Sequence, residues 1–253
     1  MFRSRSASRP CGLLWPVALA CALGEPAAAQ QPAGPPLRFV AATSNALPLA
    51  EFDAGEHLVG GIVKDLAELI AGRLGRPLII VPLPSKRVRP ALAAGEVDAV
   101  CYVMPDWLPG DFHWTPALIP DASIVVAHAD APPLGSLSEL ADQPLGTVRG
   151  YRYPLVEAAL GLRLRRADAI SMAANLRRLA AGRVRYALVE KTALQYFLRE
   201  QPGAPLHIVW TVERFDARCA FAPASGVSNA ELDSVMAGLL GDGSIERVLA
   251  RYR

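Results

Sequence analysis

Apolar and polar residues follow two rhythms along this chain. Unbroken short apolar runs mark buried strands, and apolar residues every three to four positions mark helices. Leu37–Ala42 is such a run and predicts a strand. Ile62, Val63, Leu66, Leu69, Ile70 and Leu74 recur at helical spacing, with Gly75 as the stop. Leu78–Val81 predicts a strand, Val88–Ala94 a short helix ended by Gly95, and Val97–Val103 the next strand. Ile124–Ala127 is another strand, running into a rigid connector, Asp130-Ala131-Pro132-Pro133, that cannot continue a ladder. Beyond it the pattern predicts a short helix at Ser138–Ala141, a strand at Leu145–Val148, helices at Pro154–Leu160 and Asn175–Ala181, and strands at Tyr186–Val189 and Leu206–Trp210. After Glu213–Arg218 comes a separate apolar stretch, Cys219–Ala222, then helices from about Asn229 to Leu240 and from Gly243 to Tyr252.

One segment occurs twice. Leu92-Ala93-Ala94-Gly95-Glu96-Val97 returns as Leu179-Ala180-Ala181-Gly182-Arg183-Val184. Each copy closes a helix with Gly just past its end, where positive φ costs little, and each leads into a strand. The echo at the same point of two α/β runs predicts a pair of similar lobes. Alternating βα order predicts mostly parallel sheets covered by helices, with ligands at the carboxyl ends of the strands.

The N-terminus reads as a secretory signal. Arg3, Arg5 and Arg9 precede an apolar run from Cys11 to Gly24, and Ala27-Ala28-Ala29 supplies a cleavage site. The run is short for a membrane span, which needs roughly 20 apolar residues. An N-terminal anchor and a lipoprotein modified at Cys21 are the alternatives. Removing residues 1–29 takes three of 26 basic and one of 24 acidic residues, leaving 23 of each. The mature chain is then formally neutral, and nothing in it asks for nucleic acid or an anionic membrane. Cys101 and Cys219 remain, in apolar surroundings. An oxidising compartment allows a disulfide, and buried free thiols are the other reading.

Several motifs together resemble the bacterial family 3 extracellular solute-binding proteins, the periplasmic receptors of amino-acid-type ABC importers. They are Gly61-Ile62-Val63-Lys64-Asp65-Leu66, Ala91 to Asp98, Leu140 to Gly150, Gly182-Arg183-Val184, and Leu239 to Ile245. The resemblance implies an α/β, two-lobed type II periplasmic-binding-protein-like fold, with mostly parallel sheets and crossing hinge strands. It divides the chain into a signal peptide (1–29), the first part of lobe one (37–126), a hinge (127–130), lobe two (131–212), a second hinge (213–215) and the rest of lobe one (216–253). It also brings the strands of Cys101 and Cys219 side by side, which makes a bridge between them conceivable. The implied protein is a periplasmic monomer that needs no cofactor or metal. Its partners are a small-molecule ligand and an inner-membrane ABC permease.

Amino-acid receptors neutralise a carboxylate with an Arg fork and an ammonium with a carboxylate. Glu190, at the carboxyl end of the Tyr186–Val189 strand, is the candidate ammonium partner; a solvated helix-start glutamate is the bland alternative. Gly150, Tyr151 and Tyr153 open a helix, where free backbone N–H groups can hold an anion and the two rings can wall a ligand. Lobe one departs from the family pattern: Trp107 stands nearest the expected Arg, and Ser44 and Asn45 replace the usual aromatic. Arg87, in the Ser85-Lys86-Arg87 loop, is the substitute cation. The expected function is delivery of an amino acid or related amine or carboxylate to an importer. The alternatives are an enzyme on the same fold, similar to cyclohexadienyl dehydratase, or a sensor module for a membrane kinase. No nucleophile-base set is readable, and His57, His113, His128 and His207 lack metal-ligand spacing.

Overall fold

The structure is a computed structural model that describes residues 34–252, so the readings of the export signal and of Cys21 lie outside the described residues. The chain forms β1 (Leu37–Ala42), the antiparallel pair β2 (Glu51–Phe52) and β3 (Leu58–Gly60), α1 (Ile62–Arg73), β4 (Leu78–Leu83), α2 (Ser85–Ala93) and β5 (Ala99–Val103). Then come β6 (His113–Trp114), β7 (Ile119–His128), β8 (Pro144–Val148), α3 (Pro154–Leu160), β9 (Arg165–Ala169), α4 (Met172–Ala180), β10 (Tyr186–Glu190) and α5 (Lys191–Glu200). The long β11 (Leu206–Phe221) runs back, and α6 (Asn229–Gly241) and α7 (Ser244–Ala250) complete the order. Among the described residues no helix is long and apolar enough to cross a membrane.

The hydrogen-bonded strand order is β4-β1-β5-β11-β7-β10-β8-β9. Two parallel triplets stand at its ends, centred on β1 and on β8. β11 and β7 run antiparallel between them and join them. The period of two along each strand splits the cores. Phe39 enters a cluster with Leu66, Ile70, Phe221 and Met236, while its neighbour Val40 enters another with Val88, Leu92 and Val100. In lobe two, Ile124 and Val126 pack with Leu176 and Leu179, and Val125 and Ala127 with Leu145 and Leu188.

The two echo segments adopt one conformation. Gly95 and Gly182 both have positive φ, 68° and 66°. The Gly95 N–H donates to Leu92 O and the Glu96 N–H to Ala91 O; Gly182 and Arg183 repeat this with Leu179 and Arg178. Each is a Schellman-type stop that aims the next strand, β5 or β10, back into its sheet.

Two sequence expectations change. Leu206–Trp210 and Cys219–Phe221 belong to one continuous strand, β11, because the charged residues Glu213, Arg214, Asp216 and Arg218 between them pair along β7 and β5. β7 begins five residues before Ile124, with Pro120 and Asp121 still in register with Asp216 and Phe215. At the start of segment 127–130, Ala127 pairs with Tyr186 of β10 and packs in the lobe-two core. Core membership switches between Ile119 and Ala122 on β7, and between Val212 and Phe215 on β11.

β5 and β11 also carry the cysteines. Cys101 and Cys219 are register partners and are joined as a disulfide closing a separation of 118 residues.

Candidate functional site

A cavity of about 100 Å3 lies between the two parallel triplets, at the carboxyl ends of β5 and β10. Asn45, Trp107, Gly150, Tyr151, Tyr153 and Glu190 all line it. Tyr102, Ser123, Arg152, Glu213 and Phe215 line it too.

Lobe one supplies rings. At the end of β5, Val103 pairs with Arg218 and Cys101 with Cys219, so Tyr102 is an extra residue in a β-bulge. Its φ is +61°, in the left-handed region that non-glycine residues occupy at a cost of about 1–3 kcal/mol. A bulge re-aims a side chain, and here it brings the Tyr102 ring to the cavity, 6.1 Å from the Phe215 ring. The Tyr102 hydroxyl donates to Asp121 Oδ2 at 2.7 Å. Trp107 stands edge-on to Phe215 at 4.8 Å, completing an aromatic wall.

Lobe two supplies charge. Glu190 is 7% exposed, and its Oε2 is buried without a hydrogen-bond partner. Burial, then the charge of Asp121, pushes its carboxyl up to about 8. Glu213 is also raised, by burial and then by Asp106. Tyr102 is raised well above the usual phenol range by burial first and Glu190 second.

The lips of the cavity touch. The Tyr151 hydroxyl donates to Asn45 Oδ1 at 2.8 Å, and the Met172 N–H at the start of α4 donates to Ser44 O at 2.9 Å. Ser44 itself is buried behind the lining, with its hydroxyl bonded to Ser85 Oγ. Gly150, with φ +89°, faces the start of α2 so closely that a Cβ there would lie 3.0 Å from the Lys86 amide nitrogen. Only glycine lets the lobes approach this far without a shift.

The geometry places two of the expected groups differently. Arg87 does not line the cavity: α2 starts at Ser85 rather than Val88, which turns the expected loop into a first helical turn. The Arg87 side chain is 63% exposed and points to Glu96 at 3.9 Å. Two of the backbone donors near α3 are engaged within the chain. The Tyr153 N–H donates to Glu157 Oε1 at 3.0 Å and the Tyr151 N–H to Val148 O at 3.1 Å.

The chain reading missed Tyr102, Ser123, Phe215 and Glu213. Tyr102 lay inside an apolar strand with nothing to mark a bulge. Phe215 and Glu213 fell in the polar stretch that turned out to be the middle of β11. Among the described residues, no group of three or more His, Cys, Asp or Glu side chains could hold a metal ion.

No protein-family model and no curated protein matches the sequence. Solved structures do match. An ancestral arginine-binding protein bound to arginine superposes with a TM-score of 0.72 at 18% identity, over 86% of this chain and 97% of that one. An ancestral amino-acid-binding protein, a precursor of cyclohexadienyl dehydratase, gives 0.71 at 15% identity over 86% and 95%. A histidine kinase sensor domain similar to periplasmic binding proteins gives 0.71 at 20% identity over 85% and 95%. The chain therefore has the α/β, two-lobed periplasmic-binding-protein fold.

Proposed function

We propose that this protein is an exported solute-binding protein that closes its two lobes on a small polar solute and delivers it to an inner-membrane importer. The observation that carries this reading is the cavity at the ends of β5 and β10, with the unpartnered carboxylate oxygen of Glu190 on its wall. A buried acceptor without a donor costs about 1–3 kcal/mol, so a ligand that supplies the donor recovers that energy and favours the closed lobes. The crossings on β7 and β11 are the hinges of this closure, which leaves residues 37–119 with 215–252 as one body and 122–212 as the other. The protein works as a monomer with no cofactor.

A thermal-shift screen against amino acids, amines, opines and small carboxylates tests the reading. A ligand at 100 times its dissociation constant stabilises the fold by about 2.7 kcal/mol, or roughly 5–11 °C here. No shift with any compound contradicts solute binding.

One observation favours a second reading. A glutamate held protonated near neutral pH in a buried site is suited to general-acid chemistry, and the fold itself does not exclude catalysis. Incubation with prephenate- or arogenate-like compounds separates the two readings: turnover supports an enzyme, and binding without turnover supports the receptor.

A further inference from the structure

The ligand-facing groups divide unevenly between acids and cations. Glu190 and Glu213 line the cavity, and Asp121 stands behind it in contact with Tyr102. Among the described residues Arg152 is the single Lys or Arg on the lining, and its side chain is 52% exposed with Nε directed to Glu157 at 3.3 Å. The nearby Arg166 is committed as well: it donates to Asp168 Oδ1, Tyr151 O and Val148 O and lies 3.6 Å from Glu157.

Glu157, off the cavity lining, already engages the cations nearest to it. It takes the Tyr153 N–H, the Arg152 guanidinium and one edge of Arg166. A bound carboxylate would meet Glu213 and the aromatic wall of Tyr102, Trp107 and Phe215 with no unengaged cation. An ammonium meets the reverse. Its N–H groups can donate to the orphaned Glu190 Oε2, and its charge is attracted by ring faces.

Resting on the solute-binding reading above, we infer that the cavity takes a small protonated organic amine that carries no carboxylate, held by N–H donation to Glu190 and covered by the aromatic wall of lobe one. The amine must bear N–H groups, because a quaternary ammonium would leave Glu190 Oε2 unsatisfied.

Matched pairs test this. Glycine, alanine, ornithine and lysine are each titrated calorimetrically beside the amine left by removing the carboxylate: methylamine, ethylamine, putrescine and cadaverine. At least one amine is expected to bind about tenfold or more tightly than its amino acid, the equivalent of about 1.4 kcal/mol. Glu190→Gln, checked for folding by circular dichroism, is expected to lose that amine by about tenfold or more. Should this variant not fold, Glu190→Asp serves instead. An amino acid that binds as tightly as its amine, or a neutral or anionic compound as the sole ligand, overturns the amine assignment while solute binding stands. No binding by any amine, amino acid, neutral compound or carboxylate overturns both.

Discussion

The two lobes are built alike and used differently. Each has a central parallel strand, β1 or β8, and each sends its next strand out of an identical Leu-Ala-Ala-Gly stop. β5 and β10 thus deliver their carboxyl ends to one cavity from opposite sides. β5 ends in a bulge that presents a ring, Tyr102, and β10 ends in a buried acid, Glu190. The repeated backbone sets where ligand-facing residues stand; the last one or two residues of each strand set what they bind.

The largest expected effect lies on the lobe-one side. The Cys101–Cys219 bridge fixes β5 against β11 next to the Tyr102 bulge. Replacing both cysteines with serine is expected to lower stability by about 2–5 kcal/mol, read by urea unfolding. Two freely alkylated thiols in unreduced protein, seen by intact mass, contradict the bridge.

The lobe-two acid is expected to act in the opposite direction on stability. Glu190 holds its proton in the fold up to about pH 8 but loses it near 4.5 when unfolded. Between these values the folded state binds more protons, so its contribution to stability falls as pH rises. Glu190→Gln removes this loss. The unliganded variant is expected to be more stable than the parent at pH 8.5 by on the order of 1–3 kcal/mol, or roughly 3–10 °C in Tm. Equal melting of the two proteins at pH 8.5 breaks the contrast between a structural wall and a strained acidic one.

Smaller effects sharpen it. Trp107→Ala removes one ring of the lobe-one wall and is expected to weaken amine binding by about 0.5–2 kcal/mol, with little change in pH dependence. Arg87→Ala is expected to leave affinity within about twofold, since its exposed pair with Glu96 contributes about 0–1 kcal/mol and lies off the cavity. A large loss with Arg87→Ala restores a lobe-one cation to the site.

Most of the fold was legible in the chain because burial writes a strong periodic signal. α3 spans Pro154–Leu160 and β1 spans Leu37–Ala42, as the apolar runs and the prolines at their borders indicate. What stayed hidden lies where burial is partial. β9 is an edge strand of Arg, Ala and Asp with no apolar run, and β11 carries charges through its middle because only one side of it is covered. The position of Glu190 on the cavity wall follows from its place at a strand end. Tyr102 was not legible, since a bulge depends on the partner strand's register rather than on local composition. Arg87 misled because Pro84 starts α2 earlier than the first apolar residue does.

In the proposed complex the Glu190 carboxylate receives an ammonium. Asp121 on β7, Tyr102 on β5, Tyr151 and Tyr153 beside α3, and Glu213 on β11 stand around it; burial first, and the charge of Asp121 second, push its carboxyl up to about 8. An ammonium needs the ionised form, so binding must expel the carboxyl proton. Calorimetric titration of the best-binding amine at pH 6.5 and 8.5, in two buffers of different ionisation enthalpy, measures both affinity and proton release. Affinity is expected to rise about tenfold or more from pH 6.5 to 8.5, with close to one proton released at the lower pH. Affinity that is flat or falls with pH, without proton release, contradicts the proposed complex.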